Sequence, residues 1–308
     1  MSPVDPVPSR SGPLEGLRRS GPGTAVTDVA KHGLRAVGMA TAGLRPGPDL
    51  LVIGAKRGGT TSLWRYLSEH PGILPTFPRA QQIKGTYFFD EEWSRGVRWY
   101  RSHFPTAATR RLMQRRLGHE IVSFEASPYY LFHPLAPERA RQVTPEALVV
   151  AVLRDPVERA FSHWKERRNH TESLGFAEAL DAEAERTKGE ESRLMADPSA
   201  RSMAHRHQTY VAQGCYAPML ERWFGAFGRD RVVVVPSEEM YADPQRFCDG
   251  LFDRLGLPGH RLASVEPWNA EPSPGMDAAV RERLTIELTP HVLATEEILG
   301  RSLPWARA

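Results

Sequence analysis

Four short apolar runs divide the chain, and each is followed by polar sequence. The runs are Leu50–Ile53, Ile121–Phe124, Leu148–Leu153 and Val232–Val235, the second of which includes the polar Ser123. Continuous apolar runs of this length are typical of parallel strands that are buried on both faces. The pattern therefore predicts four buried strands.

Between and after these strands, apolar residues recur at helical spacing. The spacing predicts helices over residues 60–70, 176–193, 216–227 and 277–299, the last interrupted at Pro290. Strands that alternate with helices imply right-handed crossovers and a mainly parallel sheet. We expect an α/β fold with a central, mainly parallel sheet flanked by helices, and ligands at the carboxyl ends of its strands.

Composition narrows the class of protein without identifying it. The chain has 308 residues and a formal net charge of +3, which is too weakly basic to indicate nucleic-acid binding. Cys215 and Cys248 lack the spacing of a metal site, and we expect no metal. No apolar run is long enough to span a membrane, and no secretory leader is evident, so we expect a cytoplasmic protein.

Segments without clear periodicity flank or interrupt the predicted domain. Residues 1–48 begin with a Pro-, Gly- and Ser-rich stretch and are predicted to form a flexible segment, which leaves residues 49–308 as the domain. Within residues 26–44 a weak helical pattern favours packing on the domain edge. Residues 195–208 are expected to be mobile. The histidines His163, His205 and His207 are expected to be exposed.

The loop after the first strand carries the strongest chemical signal. It reads Gly54-Ala55-Lys56-Arg57-Gly58-Gly59-Thr60-Thr61-Ser62 and enters a helix. Backbone N–H groups at such a turn, together with the helix dipole, favour a bound anion. A nucleoside-triphosphate P-loop needs Lys after the second glycine, where this chain has Thr60. The loop is therefore predicted to hold a phosphate-like anion other than ATP.

A second positive turn follows the third predicted strand. There the sequence reads Leu153-Arg154-Asp155-Pro156, and a helix containing Ser162 follows. Two cationic turns at the same edge of a sheet indicate one ligand with two separated anionic groups.

The two motifs together resemble the sulfotransferase family that uses PAPS (3′-phosphoadenosine 5′-phosphosulfate), especially its bacterial and carbohydrate-acting branches. The resemblance extends from about residue 49 to the C-terminus. It implies a P-loop-like three-layer fold. It also implies in-line transfer of a sulfuryl group from PAPS to a hydroxyl or amine of a carbohydrate, glycolipid or small molecule.

The resemblance also implies roles for individual residues. Arg57 matches the loop cation that contacts the 5′-phosphosulfate, while Arg154 and Ser162 match the pair that binds the 3′-phosphate. Tyr216 matches a position near the cofactor. The full set of predicted cofactor-binding residues is Lys56, Arg57, Gly58, Gly59, Thr60, Thr61, Ser62, Arg154, Ser162 and Tyr216.

The acceptor half departs from the family pattern. Gly85 stands where the carbohydrate branch commonly has a Glu that serves as base, and Tyr87 stands where it has a His. A Lys often found before the Ser/Thr-Pro pair is Ala126. The late Lys-Gly-Arg loop is also missing, since residues 269–274 read Asn-Ala-Glu-Pro-Ser-Pro.

We therefore expect another carboxylate to act as the base. Glu125 or Asp90 are the candidates, with Lys84 lining the cleft and Arg57 acting as an electrostatic clamp. For Glu125 a structural ion pair is an equal alternative, and for Asp90 an N-cap is the favoured one.

Two other function classes stay open from the sequence. One is a P-loop kinase that uses ATP, and the other is a non-catalytic nucleotide-binding protein that has kept the cofactor pocket.

Overall fold

A five-stranded parallel sheet forms the centre of the computed structural model, which describes residues 33–265, 275–305 and 307. The strands are β1 (Leu50–Gly54), β2 (Ile73–Leu74), β3 (Val122–Ala126), β4 (Leu148–Leu153) and β5 (Val232–Pro236). Their spatial order is β2-β3-β1-β4-β5, and every neighbouring pair is parallel. The predicted fold class is confirmed, and β2 is a short strand that the apolar pattern did not reveal.

Thirteen α-helices are found in the described part of the chain. They are α1 (33–40), α2 (Thr60–Glu69), α3 (Gly96–Arg101), α4 (Ala107–Leu117), α5 (Ala136–Val143), α6 (Pro156–Arg168), α7 (Phe176–Thr187), α8 (Glu190–Ala196), α9 (Met203–His207), α10 (Tyr216–Phe227), α11 (Ser237–Ala242), α12 (Pro244–Arg254) and α13 (Ala278–Leu299). Short 3₁₀ turns lie at Ala42–Leu44, Arg79–Gln81, Trp93–Arg95, Ala212–Gly214 and Arg229–Arg231. None of these helices is long and apolar enough to cross a membrane.

The sheet buries both of its faces because its side chains alternate between two hydrophobic clusters. On one face, Leu51 and Ile53 pack in a cluster with Trp223 of α10. On the other face, Leu50 and Val52 belong to a cluster that includes residues of α2 and α12. Helices on both sides of a parallel sheet make the three layers that the resemblance implied.

The strand order places two loops side by side. β1 lies between β3 and β4, so the loops that follow β1 and β4 emerge at adjacent positions on one edge. This is the topological switch point of an open parallel sheet, where ligands of such folds bind. The loops carry Lys56 and Arg57 after β1, and Arg154 after β4.

Several predicted boundaries need correction. The helix predicted over residues 176–193 is two helices, because Gly189 adopts a left-handed φ of 75° between them. The C-terminal helix is not interrupted, since α13 runs from Ala278 to Leu299 with Pro290 inside it. Of the segment expected to be mobile, residues 203–207 form α9.

The predicted boundary between a flexible segment and the domain also moves. Residues 1–32 lie outside the described residues, but residues 33–48 pack against the domain. Arg35 Nη1 donates to the Phe77 carbonyl at 3.1 Å, and Ala42 is buried. Arg45 is also buried and donates to the Phe104 carbonyl. The segment thus packs on the domain edge as predicted, but not through its apolar pattern, since Leu34, Val37 and Met39 are exposed.

Candidate active site

The loop after β1 is held in place by the neighbouring strand. Ala55 N donates to the Val152 carbonyl of β4 at 2.6 Å, and Gly58 N donates to the Ala55 carbonyl at 2.9 Å. A Cβ atom at Gly58 would lie 2.4 Å from the Val152 carbonyl oxygen, so only glycine fits there. Gly59 then takes a φ of 103° and immediately precedes α2. Together the two glycines bring the backbone close to the sheet and point the start of α2 at the edge.

A cavity of about 220 Å³ opens at this edge. Its lining residues are Lys56, Arg57, Gly59, Thr60, Thr61, Ser62, Lys84, Pro128, Arg154, Ser162, Glu166 and Tyr241. Four of these side chains are cationic and one is a carboxylate, so the cavity suits an anionic ligand. Gly58 and Tyr216, both predicted to bind the cofactor, do not line the cavity.

Arg57 joins the two predicted halves of the anion site. Its Nε donates to Ser162 Oγ of α6 at 3.0 Å. The loop after β1 and the helix after β4 are therefore connected directly through two of the predicted cofactor-binding residues. A guanidinium stays charged at any physiological pH, which makes Arg57 a fixed positive charge in the cavity.

The Arg-Asp-Pro motif builds the second turn in a way that frees Arg154 for the cavity. Asp155 caps α6, since its Oδ1 accepts from Val157 N at 2.8 Å and from Glu158 N at 3.2 Å. Pro156 occupies the first turn of α6, where a missing N–H costs nothing. Arg154 lines the cavity, and its Nη2 lies 3.9 Å from Glu158.

Tyr216 acts on Arg154 through the backbone. It is fully buried, and its hydroxyl donates to the Arg154 carbonyl at 2.8 Å. Its predicted place beside the cofactor is corrected: the residue fixes the turn after β4 and does not face the cavity.

The two lysines at the cavity are partly buried, and this burial lowers the pKa of each. The pKa of Lys56 is lowered to about 7; nearby arginines add to the effect and Glu166 opposes it. Lys56 Nζ lies 3.0 Å from His207 Nδ1 and 3.7 Å from Glu166 Oε2. Burial and the charge of Arg57 lower the pKa of Lys84 to about 8. An arriving anion would stabilise the charged form of both groups.

Glu125 is not at the cavity. Its side chain is fully buried and accepts hydrogen bonds from Thr86, Tyr100, Ser127 and Tyr130. Burial raises its pKa, while these donors oppose the rise. Since both carboxylate oxygens accept from donors in the core, Glu125 orders the 86–89 segment. Its proposed role as a base is therefore corrected to a structural one, a hub of hydrogen bonds rather than an ion pair.

Asp90 is also turned inward. Its Oδ1 accepts from Glu91 N at 2.6 Å, which caps a turn rather than the predicted helix. Its Oδ2 is buried with no hydrogen-bond partner among the described residues, and burial raises the pKa of Asp90 to about 8. Such a pKa suits a base, but Asp90 does not line the cavity, so the structure does not bring it to the donor site.

Gly85 cannot be replaced by the expected Glu without moving the backbone. A Cβ atom at position 85 would lie 2.4 Å from the Ala126 carbonyl and 2.4 Å from Ser127 Oγ. The departure from the family pattern at this position is therefore built into the packing of β3. The missing late loop, residues 269–274, lies outside the described residues.

Three residues of the cavity escaped the sequence prediction. Glu166 lies one helical turn after Ser162, so the i, i+4 spacing on α6 could have indicated it. Tyr241 of α11 places its hydroxyl 3.0 Å from Ser62 Oγ. Only the adjacency of β5 to β4 brings α11 to this edge, and nothing in the local sequence signals that. Pro128 follows β3 and lines the cavity on its other side.

None of the three histidines expected to be exposed is exposed. His163 is fully buried, and His205 is buried with its Nδ1 2.7 Å from the Tyr129 hydroxyl. His207 is half-buried, with its Nδ1 3.0 Å from Lys56 Nζ. Among the described residues, no group of three or more His, Cys, Asp or Glu side chains is arranged to hold a metal ion.

Comparison with known proteins agrees with this geometry. The model of the sulfotransferase family matches residues 48–261. Bifunctional heparan sulfate N-deacetylase/N-sulfotransferase 4 of Mus musculus is 28% identical over 218 residues, which are 69% of this chain and 23% of that protein. Heparan sulfate glucosamine 3-O-sulfotransferase 6 of Mus musculus is 28% identical over 264 residues, 82% of this chain and 65% of the relative.

A solved structure resembles most of this chain. The crystal structure of a sulfotransferase from Alicyclobacillus acidocaldarius has a TM-score of 0.60 and 28% sequence identity, covering 83% of this chain and 97% of that one. The chain thus spans about a quarter of the length of the first bifunctional relatives and nearly all of a bacterial neighbour.

Proposed function

Since the chain belongs to the sulfotransferase family, we propose that it transfers a sulfuryl group from PAPS to a hydroxyl or amine of a carbohydrate acceptor. The observation that carries this proposal is the hydrogen bond that Arg57 Nε donates to Ser162 Oγ. It connects the two anion-binding segments, and both residues line one cavity with Arg154. One cavity can then bind both charged ends of a nucleotide that carries a 3′-phosphate and a 5′-phosphosulfate.

The cavity fits such a nucleotide on two grounds. Its lining has four cationic side chains against one carboxylate. Gly59 also allows close approach of the backbone, because a Cβ atom there would lie 3.0 Å from the Tyr241 hydroxyl and would need a strained φ. When bound, PAPS supplies an activated sulfuryl group that needs no further chemistry from the protein than alignment and charge stabilisation.

The residues of the chain then divide the work. Gly58 and Gly59 hold the backbone turn, and Thr60, Thr61 and Ser62 offer hydroxyl groups at the start of α2, where negative charge is stabilised. Arg57 provides a fixed charge, while Arg154 and Ser162 hold the opposite end of the ligand. As in phosphoryl transfer, positioning and preorganised positive charge supply most of the catalysis.

The carbohydrate acceptor is proposed from the relatives, whose names specify heparan sulfate. The experiment is a transfer assay with ³⁵S-labelled PAPS against desulfated heparan sulfate, simple glycosides and phenols. Label in a carbohydrate supports the proposal, and label only in phenols would overturn the acceptor class. R57A should strongly reduce transfer, whereas K188A should not, because Lys188 is an exposed residue between α7 and α8.

Thermal stabilisation separates the alternatives without an acceptor. Adenosine 3′,5′-bisphosphate, the product of the donor, should raise the melting temperature, and Mg-ATP should not. Stabilisation by Mg-ATP alone would favour a kinase. Binding of the bisphosphate without transfer to any acceptor would favour a non-catalytic nucleotide-binding protein.

A further inference from the structure

Lys84 reaches the anion-binding loop from a distant part of the chain. Its carbonyl accepts from Ala126 N at 2.8 Å, which fixes its backbone beside the end of β3. From there its Nζ donates to Thr60 Oγ1 at 3.0 Å and to Thr61 Oγ1 at 2.9 Å. Thr60 is the residue that replaces the Lys of a nucleoside-triphosphate P-loop. The positive charge missing from the loop sequence is therefore supplied from the segment before β3.

The hydrogen bonds of Lys84 leave it able to bind a ligand. An ammonium group has three N–H donors, and two of them are used by the threonines. The described part of the chain gives Nζ no third acceptor, and Lys84 lines the cavity. Because each threonine oxygen accepts from Nζ, its own O–H can still donate to another acceptor.

The sheet order shows which end of the ligand Lys84 faces. Arg154 follows β4, and Ser162 lies on α6, the helix that also follows β4. Lys84 lies beside β3, on the opposite side of β1. If Arg154 and Ser162 bind the 3′-phosphate, the far end of the donor lies toward β3. That end carries the sulfuryl group.

We propose that Lys84 is a catalytic residue of the transfer, whose ammonium binds the non-bridging oxygens of the sulfuryl group. The inference rests on the proposed function. In the step, a bond forms between the acceptor atom and sulfur, and the bond between sulfur and the bridging oxygen breaks. The electron pair of that bond stays on the departing phosphate, and the acceptor proton passes to water. Lys84 keeps its proton throughout and stabilises the charge on the sulfuryl oxygens.

Electrostatics agree with this assignment. Burial and the neighbouring Arg57 lower the pKa of Lys84 to about 8, so the free site holds a cation that is poorly solvated. An anion beside Nζ removes that penalty, and a hydrogen bond between two charged groups is stronger than one between neutral groups.

The test compares two ligands that differ by the sulfuryl group. Binding of PAPS and of adenosine 3′,5′-bisphosphate is measured by calorimetry for wild type, K84A and K84R. We expect K84A to weaken PAPS about 10-fold or more, with the bisphosphate weakened far less. Equal weakening of both ligands, or no weakening of either, would overturn the proposal. K84R keeps the charge and should recover much of the difference.

Two further readouts exclude a merely structural effect. An unchanged melting temperature and retained bisphosphate binding show that K84A is folded, and K188A is the matched lysine control. With an acceptor, kcat/KM of wild type should fall as pH rises through about 8, because the charged form of Lys84 is needed. In K84R, kcat/KM should not show the fall near pH 8. The effect of Lys56, which titrates near pH 7, should be the same in wild type and K84R. Since the binding test needs no acceptor, its failure is distinct from failure of transfer.

Discussion

The ends of β1 and β3 both carry polar residues directly after an apolar run, yet the two regions do opposite things. β1 ends at Gly54, so Lys56 and Arg57 lie beyond the strand and line a cavity. β3 continues through Ala126, so Glu125 is still within the strand. Side chains alternate along a strand, and a strand buried on both faces sends each of them into the core. The position at which a strand ends therefore decides whether a charged residue lines a ligand site or is buried in the core, where it stabilises the fold.

Removing the charge of Arg57 at the cavity should have the largest effect on sulfuryl transfer. R57A should lower kcat/KM for sulfuryl transfer about 10²–10³-fold, because a preorganised charge in the cavity is lost. Turnover with labelled PAPS is the measurement, and the melting temperature should change little. R57K retains a charge and should lie between wild type and R57A. Equal activity of R57A and wild type would place the reaction elsewhere.

Replacing the buried carboxyl group of Glu125 should lower the stability of the protein and leave its activity nearly unchanged. E125Q puts an amide donor among the hydroxyl and N–H donors of Thr86, Tyr100, Ser127 and Tyr130. We expect a loss of about 1–3 kcal/mol in the free energy of unfolding, measured by denaturant titration. Turnover per folded molecule should stay close to wild type. A variant of normal stability and low turnover would restore Glu125 as the base.

The packing at Gly85 is a second way to test the buried region. G85A should lower the free energy of unfolding by about 1–3 kcal/mol, because its Cβ atom would overlap the Ala126 carbonyl. G225A is the control, since Gly225 lies inside α10 with no atom near its Cβ direction. There Ala should stabilise the helix by up to about 1 kcal/mol. Similar stabilities of the two variants would contradict the packing described here.

The smallest expected effect is the pH dependence of ligand binding at the cavity. A bound anion needs charged lysines, and the pKa of Lys56 is about 7 in the free protein. The affinity for adenosine 3′,5′-bisphosphate should therefore fall as pH rises from about 7 to 8.5, by no more than about tenfold per unit. K56R should flatten the change, and K188A should not. An affinity that rises with pH would show that Lys56 does not face the ligand.

Much of the fold follows from local pattern. The β4 boundaries Leu148–Leu153 and the α10 boundaries Tyr216–Phe227 match the prediction, because an uninterrupted apolar run defines the strand and clear amphipathic spacing defines the helix. The break at Gly189 and the continuous helix through Pro290 did not follow from it. Propensity alone cannot decide whether neighbouring packing tolerates a proline or requires a turn.

The site divides in the same way. Motif residues such as Arg57, Ser162 and Arg154 could be predicted because each lies in or just after a loop at a strand end. Lys84 was predicted to line the cleft and does line the cavity, but its contacts with Thr60 and Thr61 could not be read from the sequence. Tyr241 was missed because its segment meets the loop only in the folded chain. The burial of Glu125 depended on two residues of strand length, which lies within the ordinary error of a boundary assignment.

The close approach of the Gly58 backbone to the Val152 carbonyl limits which positions can be redesigned. Because a side chain at position 58 would collide with the backbone of β4, a mutant library over residues 58–59 would be dominated by misfolded clones. Screening effort is better directed at positions outside the cavity lining, such as Arg201, whose exposed side chain pairs with Glu92. Substitutions there would leave the turn after β1 and the residues that line the cavity unchanged.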